Sequence, residues 1–230
     1  MNFFDELISK SEEIISNFDE KSFPYDASKA WEDTGVSHIV LQRDTAFELD
    51  GIGFNLVTSK PVGKSETVLI GENLNKIKKN KKFCRVSIIE IDDVDDEQKA
   101  YNLIRKIEYV KYHYFPLGYM IRTSSEEQKE IVRVAKSAIK KGISFEWVGN
   151  LLNSKFLENA SVKNVKTVFI TSDGFDYSAL DELAQKNSEI TKTLNHIMKG
   201  INFDCSACNL KPICDEVEGM RELHFKNSSM

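Results

Sequence analysis

The chain has 230 residues, of which 41% are hydrophobic and 29% charged, with a formal net charge of −5. A chain of this size buries roughly 70% of its unfolded surface, so it folds without disulfides. The acidic balance argues against a general nucleic-acid binder. No apolar run approaches the ~18 residues of a membrane span. Met1-Asn2-Phe3-Phe4-Asp5-Glu6 is acidic where a signal peptide is basic, so a soluble cytoplasmic protein off the membrane is expected.

Residues 2 to 18 predict an amphipathic helix, because Phe3, Phe4, Leu7, Ile8, Ile14, Ile15 and Phe18 recur near a 3.6-residue period. A connector with aromatic residues runs through Phe23-Pro24-Tyr25 to Trp31. From Ser37 to Ile91 the pattern turns to short β-rich runs at His38–Leu41, Ala46–Val57, Thr67–Ile70 and Phe83–Ile91, punctuated by glycine and Pro61. The lysine run Lys76 to Lys82 reads as a solvated turn rather than an anion site. Asp92 to Asp96 suit a helix start, and that helix is expected to reach His113.

Phe115 to Arg122 reads as a strand. Ser124 with Glu127 three residues later has the spacing of a capping box, which predicts a helix to about Lys141. A helix at Ser144–Leu157, a strand at Val165–Thr171 and a helix from Tyr177 to Lys199 complete the body. Strands precede helices, with two β-α alternations late in the chain, so the expected fold class is α+β. A mixed sheet carries packed helices, with a short C-terminal appendage that contains cysteines. The expected division is an N-terminal helix and connector at 1–36, an α+β domain at 37–200 and a metal-binding segment at 201–230.

Four cysteines are present, and three fall within ten residues: Cys205, Cys208 and Cys214. In a reducing compartment such a cluster points to metal or redox chemistry before disulfides. Cys205-x2-Cys208 lets two thiolates converge on one metal from a tight turn. A third sulfur at Cys214, after Pro212 redirects the chain, can close another vertex. A zinc site of the Cys3His kind would need His224. Glu216, Val217, Met220, Arg221 and Leu223 have helical spacing, and ten helical residues would put Cys214 and His224 about 15 Å apart unless Gly219 breaks the helix. A 4Fe-4S cluster with three local cysteines is therefore the preferred cofactor, with zinc as the alternative. The fourth ligand stays open among Cys84, His224 and an exogenous group. Cys84 alternates with Val86 and Ile88 on a predicted strand, which favours a core thiol.

Other motifs are weaker. Gly63-Lys64-Ser65 looks like the end of a phosphate-binding loop, but Thr58 stands where that motif needs glycine and a strand is expected to follow. Phe115-Pro116-Leu117-Gly118-Tyr119 lets backbone approach closely and could border a pocket, though the plainer reading is the start of a strand. His38, His113, His196 and His224 form no helical metal motif.

Arg43-Asp44-Thr45-Ala46-Phe47-Glu48-Leu49 resembles the middle domain of the acetyl-CoA synthase beta subunit of carbon monoxide dehydrogenase/acetyl-CoA synthase. The resemblance continues at Leu69 to Leu74, Arg85 to Ile89, Ile104 to Tyr109, Arg133 to Gly142 and Val168 to Asp173, covering residues 37 to 208 in patches. It implies a coenzyme A-binding or docking domain followed by cluster ligands, in anaerobic one-carbon or acyl-CoA metabolism, and a protein partner or larger complex. Cys205 and Cys208 are the ligands it carries over, and Cys214 stands on the local spacing. The family's nickel site needs a Cys-Gly-Cys sequence that this chain lacks, so the resemblance implies a component rather than a complete synthase.

Overall fold

The computed structural model describes residues 3–94, 96–124, 128–199, 208–217, 219–220 and 223. Among them lie strands β1 (Lys21–Pro24), β2 (Thr45–Thr58), β3 (Glu66–Ile70), β4 (Lys81–Ile91), β5 (Tyr119–Ser124), β6 (Lys129–Ala135) and β7 (Val162–Ile170). They form one sheet in the order β1-β3-β7-β4-β2-β6-β5. β2 runs parallel to β4 and β3 parallel to β7, while the remaining pairs are antiparallel. The helices are α1 (Asp5–Ile15), α2 (Glu97–Val110), α3 (Lys136–Lys140), α4 (Phe145–Leu157), α5 (Tyr177–Met198) and α6 (Lys211–Glu216). This is an α+β fold built on a mixed sheet. Among the described residues no helix is long and apolar enough to cross a membrane.

Central position explains the composition of β4. It lies between β2 and β7, and every residue from Phe83 to Ile91 is buried. A strand covered on both faces reads as a near-continuous apolar run rather than an alternating one. On one face Phe83 stacks with Phe169 of β7 and Phe145 of α4, at centroid distances of 6.1 and 6.2 Å. On the other face Cys84 lies within electrostatic reach of Asp181 and Tyr177 of α5. α4 thus covers β3 and β7, and α5 covers β2 and β4.

The N-terminal residues belong to the same body. α1 packs on α5 and β2, and β1 is an edge strand paired with β3, Lys21 opposite Leu69. Helix starts follow local chemistry. The Lys99 N–H donates to Asp96 Oδ1 at 2.6 Å, and the Ser178 N–H donates to Asp176 Oδ1 at 3.0 Å. Each satisfies a backbone donor that the first turn leaves without an internal partner.

Several sequence expectations give way here. The Ser124 capping box opens no helix: Lys129–Ala135 is strand β6, and only Lys136–Lys140 is helical. β6 pairs with β2, Val132 opposite Leu49, and Glu130, Val132 and Val134 face inward. Tertiary pairing overrides a local helical pattern when it buries a whole face. His38–Leu41 forms no strand and joins no ladder. The Val40 N–H donates to Met120 Sδ at 3.4 Å and its carbonyl accepts from Arg133 Nη1 at 3.2 Å, so side chains take the place of a neighbouring strand. β5 begins at Tyr119 rather than Phe115 because Gly118 turns the chain with φ +73°. The expected helix from Cys214 to His224 is not continuous: α6 ends at Glu216 and Gly219 takes φ +79°.

Candidate metal centre

Cys208 and Cys214 belong to α6 and the turn that leads into it. The Lys211 N–H donates to the Cys208 carbonyl and the Cys214 N–H to the Leu210 carbonyl, each at 3.2 Å. Pro212 sits in the first turn of α6, where its missing N–H costs nothing. Cys208 thus enters the turn and Cys214 sits one turn into the helix, both half-buried. Ile213, Met220 and Leu223 are 8%, 0% and 4% exposed and anchor the unit to the body. Glu216 pairs with Lys186 of α5, and Asp215 with Lys211 at 2.7 Å.

Cys205 and His224 lie outside the described residues. Of the expected cluster ligands, Cys208 and Cys214 share one turn-helix unit. Among the described residues no group of three or more His, Cys, Asp or Glu is assembled. The donor chemistry of Cys208 and Cys214 fits a thiophilic metal, and a third thiolate from the Cys-x2-Cys pair would complete three vertices.

Cys84 contrasts with both. It is fully buried in β4, and burial pushes its thiol well above the usual range, with Arg85 opposing the shift. A thiol held protonated on a sealed strand is a packing group, as its alternation with Val86 and Ile88 suggests. The other sequence motifs also resolve into structure. Lys81 of the lysine run pairs with Glu72 at 2.6 Å and Asp173 at 3.2 Å, and Ile77 within the run is buried. A strand, β3, follows Gly63-Lys64-Ser65.

A polar cluster inside the sheet escaped the sequence reading. Arg85 Nη2 donates to Glu130 Oε2 at 2.9 Å, with exposures of 0% and 1% for the two side chains. Arg85 Nη1 donates to Asn55 Oδ1 at 2.9 Å and to Ser87 Oγ at 3.0 Å. The chain of contacts continues from Ser87 to Thr167 at 3.0 Å and from Thr167 Oγ1 to Asn153 Oδ1 of α4 at 2.7 Å. Burial, the largest single influence, disfavours the Arg85 charge, but the Glu130 carboxylate together with Tyr114 and Glu108 raises the pKa overall. Tyr114 and Tyr119 are sealed beside this pair, and burial pushes both phenols up. The signal was visible in Phe83-Cys84-Arg85-Val86, where an arginine interrupts an apolar run.

Open concavities lie elsewhere. A cleft of about 750 Å³ between β2, β4 and the start of α5 is lined by Lys82, Lys129, Tyr177, Ser178 and Asp181. A second groove, of about 590 Å³, is bordered by Gly118. No family model matches the chain, and no curated protein matches it.

Proposed function

We propose that the chain binds an iron–sulfur cluster, of the 4Fe-4S kind, through Cys205, Cys208 and Cys214. The supporting observation is that Cys208 and Cys214 are presented half-buried on one docked turn-helix unit while Cys84 is sealed in the sheet. When bound, such a cluster supplies electron transfer or an open iron for a small ligand. The protein's part is to hold the thiolates next to a rigid body that a partner can dock against. With the family resemblance, the setting proposed is a component of carbon monoxide dehydrogenase/acetyl-CoA synthase-type metabolism, with coenzyme A as a ligand. Metal and acid-labile sulfide are to be measured on protein purified without oxygen. About four irons and four sulfides per chain are expected.

A zinc-holding docking module, without catalysis, is the second reading, and one observation favours it. The continuous helix that would hold Cys214 and His224 about 15 Å apart is not formed, since α6 ends at Glu216. One zinc and no sulfide would replace the first reading with this one, and a normally folded protein that takes up neither metal would end both.

A further inference from the structure

Among the described residues the exposed large hydrophobics are Val36, Ile39, Leu41 and Tyr109, and three of the four lie within six residues of one loop. Scattered exposed apolar side chains are ordinary, but a cluster beside a concavity is not. Ile39 and Leu41 are 69% and 52% exposed, and Val40 between them is buried at 2%. The Val40 anchor to Met120 and Arg133 leaves its two neighbours facing outward. Ile39 and Leu41 also line the groove of about 590 Å³ whose other wall carries Gly118, Ala138 and Lys141. At Gly118 a Cβ would lie 2.4 Å from the Ala138 Cβ, so the floor is closed by backbone packed on α3.

The rim is predominantly basic. Arg43 and Lys141 line the groove and Lys136 and Lys140 stand beside it near Asp44; all four are exposed, and among the described residues none of them makes an ion pair. Lys136 Nζ donates to the Arg43 carbonyl at 3.2 Å. The one neighbouring acid, Asp44, is engaged by the Ser137 hydroxyl, whose hydrogen bond lowers its pKa. An apolar centre flanked by four exposed cations against one carboxylate, on a chain whose net charge is −5, complements a particular chemistry.

We infer that this groove docks an extended acidic segment of a partner protein, with aliphatic side chains alternating with carboxylates. The aliphatic groups cover Ile39 and Leu41, and the carboxylates meet Arg43, Lys136, Lys140 and Lys141. The inference does not rest on the cysteines, and its test does not depend on metal.

The test is fluorescence anisotropy of a labelled peptide of alternating Asp and Leu, titrated with the full chain. Saturable binding that weakens with added salt is expected, with none for a Lys-Leu peptide or an Asp-Ser peptide. Ile39→Ser with Leu41→Ser, both on exposed side chains, should weaken binding about tenfold or more, as should Lys140→Glu with Lys141→Glu. Absence of binding, or equal binding by these variants, overturns the inference. So does a concentration-dependent dimer that Ile39→Ser with Leu41→Ser abolishes, which would make the face a self-interface. Preference for anionic phospholipid vesicles over the peptide would overturn it as well.

Discussion

Arg85 on β4 and Glu130 on β6 are joined across β2, and Gly53 is the residue between them. A Cβ on Gly53 would sit 1.9 Å from Glu130 Oε2 and 3.0 Å from Arg85 Nη2, so the ion pair fills the space that the glycine leaves. Two charges at full burial are tolerated because each is paired and the guanidinium also reaches Asn55 and Ser87.

Breaking one side of that pair is expected to cost more than removing both. Glu130→Gln leaves the Arg85 charge without its counter-ion and should destabilise by about 3–5 kcal/mol. Arg85→Met with Glu130→Met should recover a large part of that loss. Urea unfolding of the two single variants and the double variant measures the coupling, and additive losses would contradict it.

Gly53→Ala should also destabilise the fold, through the same ion pair. The added methyl has to displace a carboxylate held by a guanidinium, and overpacking of this kind costs about 1–3 kcal/mol or more. The thermal midpoint should fall, and a wild-type midpoint would show that β2 can shift to make room.

The two classes of cysteine should separate in two assays. Burial keeps the Cys84 thiol protonated, so iodoacetamide at pH 8 should leave it unmodified in the folded chain and label it in urea, as read by peptide mass spectrometry. Cys84→Ala should keep metal uptake. Cys208→Ser or Cys214→Ser should abolish metal uptake, and Cys208→Ser should leave the urea midpoint of the metal-free body unchanged, because Ile213, Met220 and Leu223 carry the docking.

Acid should weaken the fold from the surface inward. Asp44 and Asp176 have lowered pKa values because the hydroxyls of Ser137 and Ser178, then backbone N–H groups, donate to their charged forms. Depressed folded-state values mean the stability is present above the unfolded pKa, near 4, and is lost as pH falls through the folded one. Asp44→Asn with Asp176→Asn should flatten the stability curve below about pH 4, measured by urea midpoints against pH. An unchanged acid limb would exclude these two groups.

The legible parts of the chain were those where one period dominates. The apolar runs of β2, β3, β4 and β7 and the 3.6-residue pattern of α2, α4 and α5 lie close to where periodicity predicts them. β6 was misread because the Ser124–Glu127 spacing pointed to a helix start and the inward position at Glu130 is charged, which hides the period-2 alternation. Arg85, far away in sequence, is what makes that inward glutamate tolerable. The cysteine cluster was legible as spacing, and its attachment through Ile213 and Met220 was not.

Sequence alone determined an α+β chain, a core thiol at Cys84 and the close spacing of Cys205, Cys208 and Cys214. These follow from side-chain type and short-range period, which act within one element. Tertiary structure alone decided that Gly53 opens a slot for an ion pair, that β6 is a strand, and that Ile39 and Leu41 face outward on a basic groove. Those outcomes depend on pairing between residues tens of positions apart. Burial and charge partners are properties of the assembled sheet rather than of any segment of it.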